Sequence, residues 1–129
     1  MKKIVPSLVF LIGWAALEGA DSSVAERRIK AEAGDVAAQV QLASDYDFGR
    51  GVPQDYGLAA HWYQKAADTG DRVAQNNLGS LYQNGMGVTK DYGKAVALYR
   101  ASAAQGFPLA ENSLGMMYDL GLGVIGVFT

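Results

Sequence analysis

The chain has 129 residues, half of them apolar, with 11 basic and 13 acidic side chains and a formal net charge of −2. That is enough for one modest domain with a single core and too little for two. The balance of charge leaves no basic stripe to follow a phosphate backbone, which argues against nucleic acid as a partner. The absence of cysteine excludes thiol catalysis, thiolate metal sites, redox exchange and disulfide bracing.

At the N-terminus Lys2 and Lys3 precede an uncharged stretch from Ile4 to Leu17. Its 14 residues fall short of the roughly 20 that a membrane-spanning helix needs. Residues 1–20 therefore read as a secretory signal, with an uncleaved signal anchor as the alternative. Gly13 and Ala15 are small residues at the spacing a signal peptidase accepts, and a cut after Ala15 fits better than one after Ala20, which would leave Glu18 near the scissile bond. Cleavage after Ala15 removes both lysines, taking the charge from −2 to −4, and leaves no stable membrane span.

Asp21, Ser22 and Ser23 make a helix opening, and Val24 to Ala33 carries Glu26, Arg27, Arg28, Lys30 and Glu32 around a narrow apolar stripe. This predicts an N-terminal helix over 21–33 whose polar exterior suits a cap; a disordered N-terminus is the competing reading.

From Gly34 onward the chain repeats every 36 residues: Gly34, Gly70 and Gly106; Ala38, Ala74 and Ala110; Leu42, Leu78 and Leu114; Tyr46, Tyr82 and Tyr118. The units are 34–69, 70–105 and a partial third, 106–129. A repeat of this length fits two short helices and two turns, and such a pair buries its apolar face only against a stacked neighbour. The fold class predicted is all-α, an α-solenoid of helix pairs, with two full repeats and a truncated third.

The first helix of each unit is expected over Asp35 to Phe48, Asp71 to Asn84 and Pro108 to Leu120. Asp35 and Asp71 can accept backbone N–H bonds at the helix starts, and Pro108 is tolerated in a first turn. Gly-x-Gly-Val turns follow at Gly49 to Val52, Gly85 to Val88 and Gly121 to Val124. These glycines follow helices rather than strands, so they read as turns and not as a phosphate-binding loop. The second helices are expected over Asp55 to Asp68 and Asp91 to Ala104, with core faces built from Leu58, Ala59, Trp62, Tyr63, Ala66 and Ala67 and from Ala95, Leu98, Tyr99, Ser102 and Ala103.

The third unit stops at Thr129 without a second helix, and Leu120, Leu122, Val124, Ile125, Val127 and Phe128 make its end apolar. Two explanations stand: an edge that packs on a partner or on a copy of this chain, or a reading frame shortened relative to a longer parent.

If the first helices line the concave side, the residues beside the packing stripe face a ligand. By register these are Val40, Asn76 and Asn112; Ser44, Ser80 and Met116; Asp47, Gln83 and Asp119; Phe48, Asn84 and Leu120. The candidate binding residues are Asn76, Ser80, Gln83, Asn84, Asn112, Met116 and Asp119, with Asn76 and Asn112 as rungs one repeat apart that could meet an extended peptide backbone; that these are simply solvated surface positions is the competing reading. The only histidine, His61, has no counterpart in the other unit and reads as a surface or boundary residue. No serine-nucleophile motif is present, and the sequence calls for no catalytic residue, cofactor or metal ion.

The pattern from Ala74 through Leu78-Gly79, Tyr82, Gly85, Gly87-Val88, Asp91-Tyr92, Ala95 and Tyr99 to Ser102 resembles the Sel-one-like repeat family, a relative of the tetratricopeptide repeats. The first unit matches through Trp62 to Ala67, and the resemblance spans Gly34 to Val124. It implies a right-handed α-solenoid of antiparallel helix pairs that serves as a scaffold for contact with a protein or peptide, in bacteria often exported to the envelope, so a periplasmic or secreted location is expected. Some secreted members carry a cysteine pair in each repeat, which this chain lacks. A few of those members are described as binding penicillin or hydrolysing β-lactams. A hydrolase of that kind, and a degenerate fragment of a longer repeat protein, are the alternatives to the adaptor reading.

Overall fold

The computed structural model describes residues 22–124. Among them are six helices: α1 (Ser22–Glu32), α2 (Val36–Phe48), α3 (Tyr56–Asp68), α4 (Arg72–Asn84), α5 (Tyr92–Ala103) and α6 (Pro108–Leu120). The substantial helix contacts all join chain neighbours, from α1 on α2 to α5 on α6. This is the pattern of an all-α solenoid, in which each element buries its apolar face only against the next. The proposed signal (1–20) and Ile125, Val127 and Phe128 of the expected apolar edge lie outside the described residues.

Local chemistry sets the helix ends. Asp35, Asp55, Asp71 and Asp91 stand in extended conformation at the caps, and each carboxylate accepts the backbone N–H three residues on, at 2.9–3.0 Å. Each bond satisfies a donor that the helix itself leaves orphaned. At α6 the cap is Phe107, which offers no side-chain bond, and Pro108 follows it in the first turn. Gly85 closes α4 at φ 65°, a left-handed conformation that glycine adopts without a Cβ penalty. Hairpins are then tied by the Asp55 N–H donating to the Tyr46 carbonyl and, one repeat on, the Asp91 N–H donating to that of Tyr82, both at 2.9 Å.

Repeat-to-repeat spacing depends on the second turn glycine. A Cβ on Gly87 would lie 2.3 Å from the Tyr56 carbonyl carbon, and one on Gly123 would lie 2.4 Å from the Tyr92 carbonyl oxygen. The turns after α4 and α6 thus rest directly on the starts of α3 and α5, a contact that tolerates no side chain.

The core runs along the stack. Leu42, Leu78, Ala59, Ala66, Ala74 and Tyr63 are fully covered, and Tyr99, Val96 and Met117 continue the interior toward α6. Leu114 occupies the place of Leu42 and Leu78 but is only half-buried, because among the described residues α6 has a helix on one side only. Leu58, expected in the core, is 38% exposed, and Leu98 is half-buried; both sit at the edge of the face that Trp62 and Tyr99 fill. In α1 the apolar stripe is Val24 and Ala31, and an ion pair from Arg27 Nε to the buried Asp45 carboxylate (2.7 Å) joins α1 to α2.

Candidate functional site

Between α2 and α4 lies a hollow of about 380 Å³. Asp47 and Phe48 reach it from the last turn of α2. Asn77, Ser80, Leu81 and Asn84 come from α4, and Gln54, Tyr56 and Met86 close its mouth. The two helices present these groups together because equivalent positions of successive first helices stack one repeat apart.

The polar floor is organised by a buried tyrosine of α3. The Tyr63 hydroxyl donates to Asp47 Oδ2 at 3.3 Å and accepts from Asn77 Nδ2 at 3.2 Å. Burial, reinforced by the Asp47 charge, pushes the Tyr63 phenol up to about 12, so it is a fixed proton donor at neutral pH and not a base. Burial also raises the Asp47 carboxyl above its ordinary value, while the bond from Tyr63 and the charge of Arg50 pull the other way. In the second hairpin Tyr99 repeats the arrangement with an uncharged partner, donating to Gln83 Oε1 at 2.6 Å. Burial raises the Tyr99 phenol too, against bonds to Ser113 and Ser80.

The candidates read from the sequence divide into two groups. Ser80 and Asn84 line the hollow, where Asn84 Nδ2 donates to the Ser80 carbonyl at 2.9 Å. Asn112, Met116 and Asp119 are exposed on α6, away from it. Gln83 is committed to Tyr99. Asn76 does not form a rung with Asn112: it is only 8% exposed, its Nδ2 donates to Asn77 Oδ1 at 3.3 Å, and its Oδ1 is buried without a partner. The reason is topological, since α4 is flanked by α3 and α5 whereas α6 makes its substantial contact with α5 alone among the described residues. The apolar edge is likewise reduced, because Leu122 and Val124 pack against the cluster of Ala95, Val96, Tyr99 and Met117 while Leu120 stays 60% exposed.

Sequence reasoning missed Asn77 and the role of Tyr63. The signal available was the recurrence of Tyr63 and Tyr99, each with a polar residue 16 positions earlier, Asp47 and Gln83. His61 is exposed, its ring set edge-on to that of Trp62 at 5.1 Å. Among the described residues no cluster of three metal-ligating side chains occurs, and no helix is long and apolar enough to cross a membrane.

Comparison with known proteins bears on this arrangement. Residues 36–71, 72–107 and 108–127 each match the Sel1 repeat. The chain belongs to the Sel1 repeat family. Two solved structures are similar to this Sel1 repeat protein. One is a protective antigen of uropathogenic Escherichia coli strains displaying an SLR fold, at 43% identity and a TM-score of 0.75 over 76% of this chain. The other is a Sel1 repeat protein from Oxalobacter formigenes, at 39% identity and a TM-score of 0.67 over 70%. The matched part is 21% of the first protein's chain and 37% of the second's. No curated protein matches. Sel1 repeats are in general scaffolds for contact between proteins.

Proposed function

We propose that this Sel1 repeat protein binds a peptide or an exposed segment of another protein across the face shared by α2, α4 and α6, and that it does so after export to the bacterial envelope. The observation that carries the binding face is the hollow between α2 and α4, where Ser80, Asn77 and Asn84 offer amide and hydroxyl groups beside the apolar walls of Phe48 and Met86. Such a mixture suits a peptide, which brings backbone polar groups and side chains together. Phe48 at the hollow and Leu109, Met116 and Leu120 on α6, each between 47% and 65% exposed, add apolar area. Export rests on Lys2, Lys3 and the apolar run from Ile4 to Leu17. Nothing points to the β-lactam-hydrolysing alternative.

Selection of displayed random peptides on the purified protein tests this reading. Peptides are expected to be enriched whose binding is lost in Asn84→Trp, which fills the hollow, and kept in Gln64→Trp, which alters the exposed side of α3. Binders insensitive to Asn84→Trp, or no binders, would contradict it.

A further inference from the structure

We infer that the hollow between α2 and α4 is a receptor for one basic side chain, lysine or arginine, with the Asp47 carboxylate as its counter-charge. The inference deepens the peptide-binding reading and rests on it for the ligand's larger context, but the pocket chemistry stands on its own observations.

The first is that Asp47 carries a charge the fold does not require. At the same register of the second hairpin Gln83 accepts the hydroxyl of Tyr99 at 2.6 Å, so a neutral amide suffices to cap the buried tyrosine. Asp47 performs that task for Tyr63 and adds a negative charge with no structural use.

The second is that this charge has no ion-pair partner among the described residues, where the ion pairs are Arg27 with Asp45 and Arg28 with Glu32. Arg50, the nearby cation, is turned to the Ser44 hydroxyl and stacks over the Phe48 ring at 5.1 Å. The Gln54 amide is spent on the Asp47 carbonyl at 2.6 Å and on the Tyr56 hydroxyl at 3.1 Å. The carboxylate is therefore half-buried, bonded to one phenol and acted on by the Arg50 charge without forming an ion pair, and it borders the hollow.

The third is the shape of the walls. Phe48, Met86 and Leu81 line the approach, which suits the methylene stem of a long cationic side chain laid on apolar surface with its head on the acid. An acidic side chain would meet like charge here. A purely apolar one would strip water from a carboxylate and return no counter-charge, a costly exchange. Only a cation gains from both the walls and the floor.

The test is nuclear magnetic resonance titration of the purified full chain with blocked tripeptides that carry lysine, arginine or norleucine between two alanines. Norleucine keeps the stem and removes the charge. Saturable shifts are expected at Phe48, Asn77, Ser80 and Asn84 with the lysine or the arginine peptide. Affinity should fall about five- to ten-fold for norleucine, and by a similar factor for the basic peptides on Asp47→Asn. The amide introduced by Asp47→Asn can still accept from Tyr63, and the norleucine comparison needs no variant. The two basic peptides separate the sources: preference for arginine assigns the pocket to a stacking guanidinium, preference for lysine to a point charge. Norleucine binding as well as the basic peptides, shifts outside the hollow, or no saturable shift would overturn the inference. Displayed peptides that bind at the hollow without a basic residue would remove this assignment and leave the peptide reading standing. Basic tripeptides that bind when no displayed peptide does would do the reverse.

Discussion

The ring of Tyr99 lies against Gly79 so closely that a Cβ on the glycine would come within 2.8 Å of it. At the same register of α6 a Cβ on Gly115 would meet nothing within 4 Å, because no helix of the described residues covers that side. One sequence position thus has opposite consequences in two repeats. Gly79→Ala is expected to destabilise by about 1–2 kcal/mol, the overpacking of a fully buried ring outweighing the helix-propensity gain of alanine. Gly115→Ala is expected to stabilise by about 0.5–1 kcal/mol. Denaturant unfolding of both variants checks the pair; equal effects would contradict the packing.

Gly87 makes a harsher contact. It holds φ 72° and would place a Cβ 2.3 Å from the backbone of Tyr56, so neither a side-chain rotation nor a relaxed φ relieves the clash. Gly87→Ala should cost about 2–4 kcal/mol, measured as a lowered melting temperature, with a larger loss than Gly79→Ala.

Tyr63 links three helices through its hydroxyl. Tyr63→Phe keeps the buried ring and removes the bonds to Asp47 and Asn77, so a loss of about 1 kcal/mol is expected, limited because both partners can reach water. The same change should raise the Asp47 carboxyl further, since the Tyr63 bond is one of the two influences holding it down. Carbon-13 titration of Asp47 in both proteins reads that shift and its sign.

Both titrations follow from burial. A raised Asp47 pKa means that the folded chain holds this proton more tightly than the unfolded chain. Its contribution favours folding below the ordinary value of 3.8 and is lost as pH rises through the elevated folded value. Asp47→Asn should therefore gain stability relative to the parent between acid and neutral pH. The groups that act on Asp47 are Tyr63 and Arg50, and neither titrates in that interval. Tyr63 acts likewise at the alkaline end: its folded value of about 12 against 10.0 makes its contribution full below pH 10.0 and lost on the way to about 12. Alkaline unfolding of Tyr63→Phe should start from lower stability and fall less steeply in that window.

What could be read from the sequence was whatever is set locally. Asp35, Asp55, Asp71 and Asp91 announce their helices because a cap is a three-residue interaction, and the turn glycines announce the ends for the same reason. Leu42 and Leu78 followed from periodicity. Asn76 could not be placed, because its burial depends on α3 and α5 closing over α4, and the identical residue at Asn112 lies exposed on α6. The Asp47 and Tyr63 pair lay between these cases: both positions were visible, but their meeting depends on how α3 folds back on α2. Leu58 misled because an apolar helical stripe does not state its own width.

The proposed grip on a partner is made by the first-helix face around the hollow between α2 and α4. A spin label placed on a selected basic peptide reads this directly through the broadening of amide signals in the bound protein. Broadening centred on Phe48, Asn77, Ser80 and Asn84, with His61, Lys65 and Arg100 on α3 and α5 unaffected, is the result expected. Broadening centred on α3 and α5, with Ser80 and Asn84 untouched, would rule that face out.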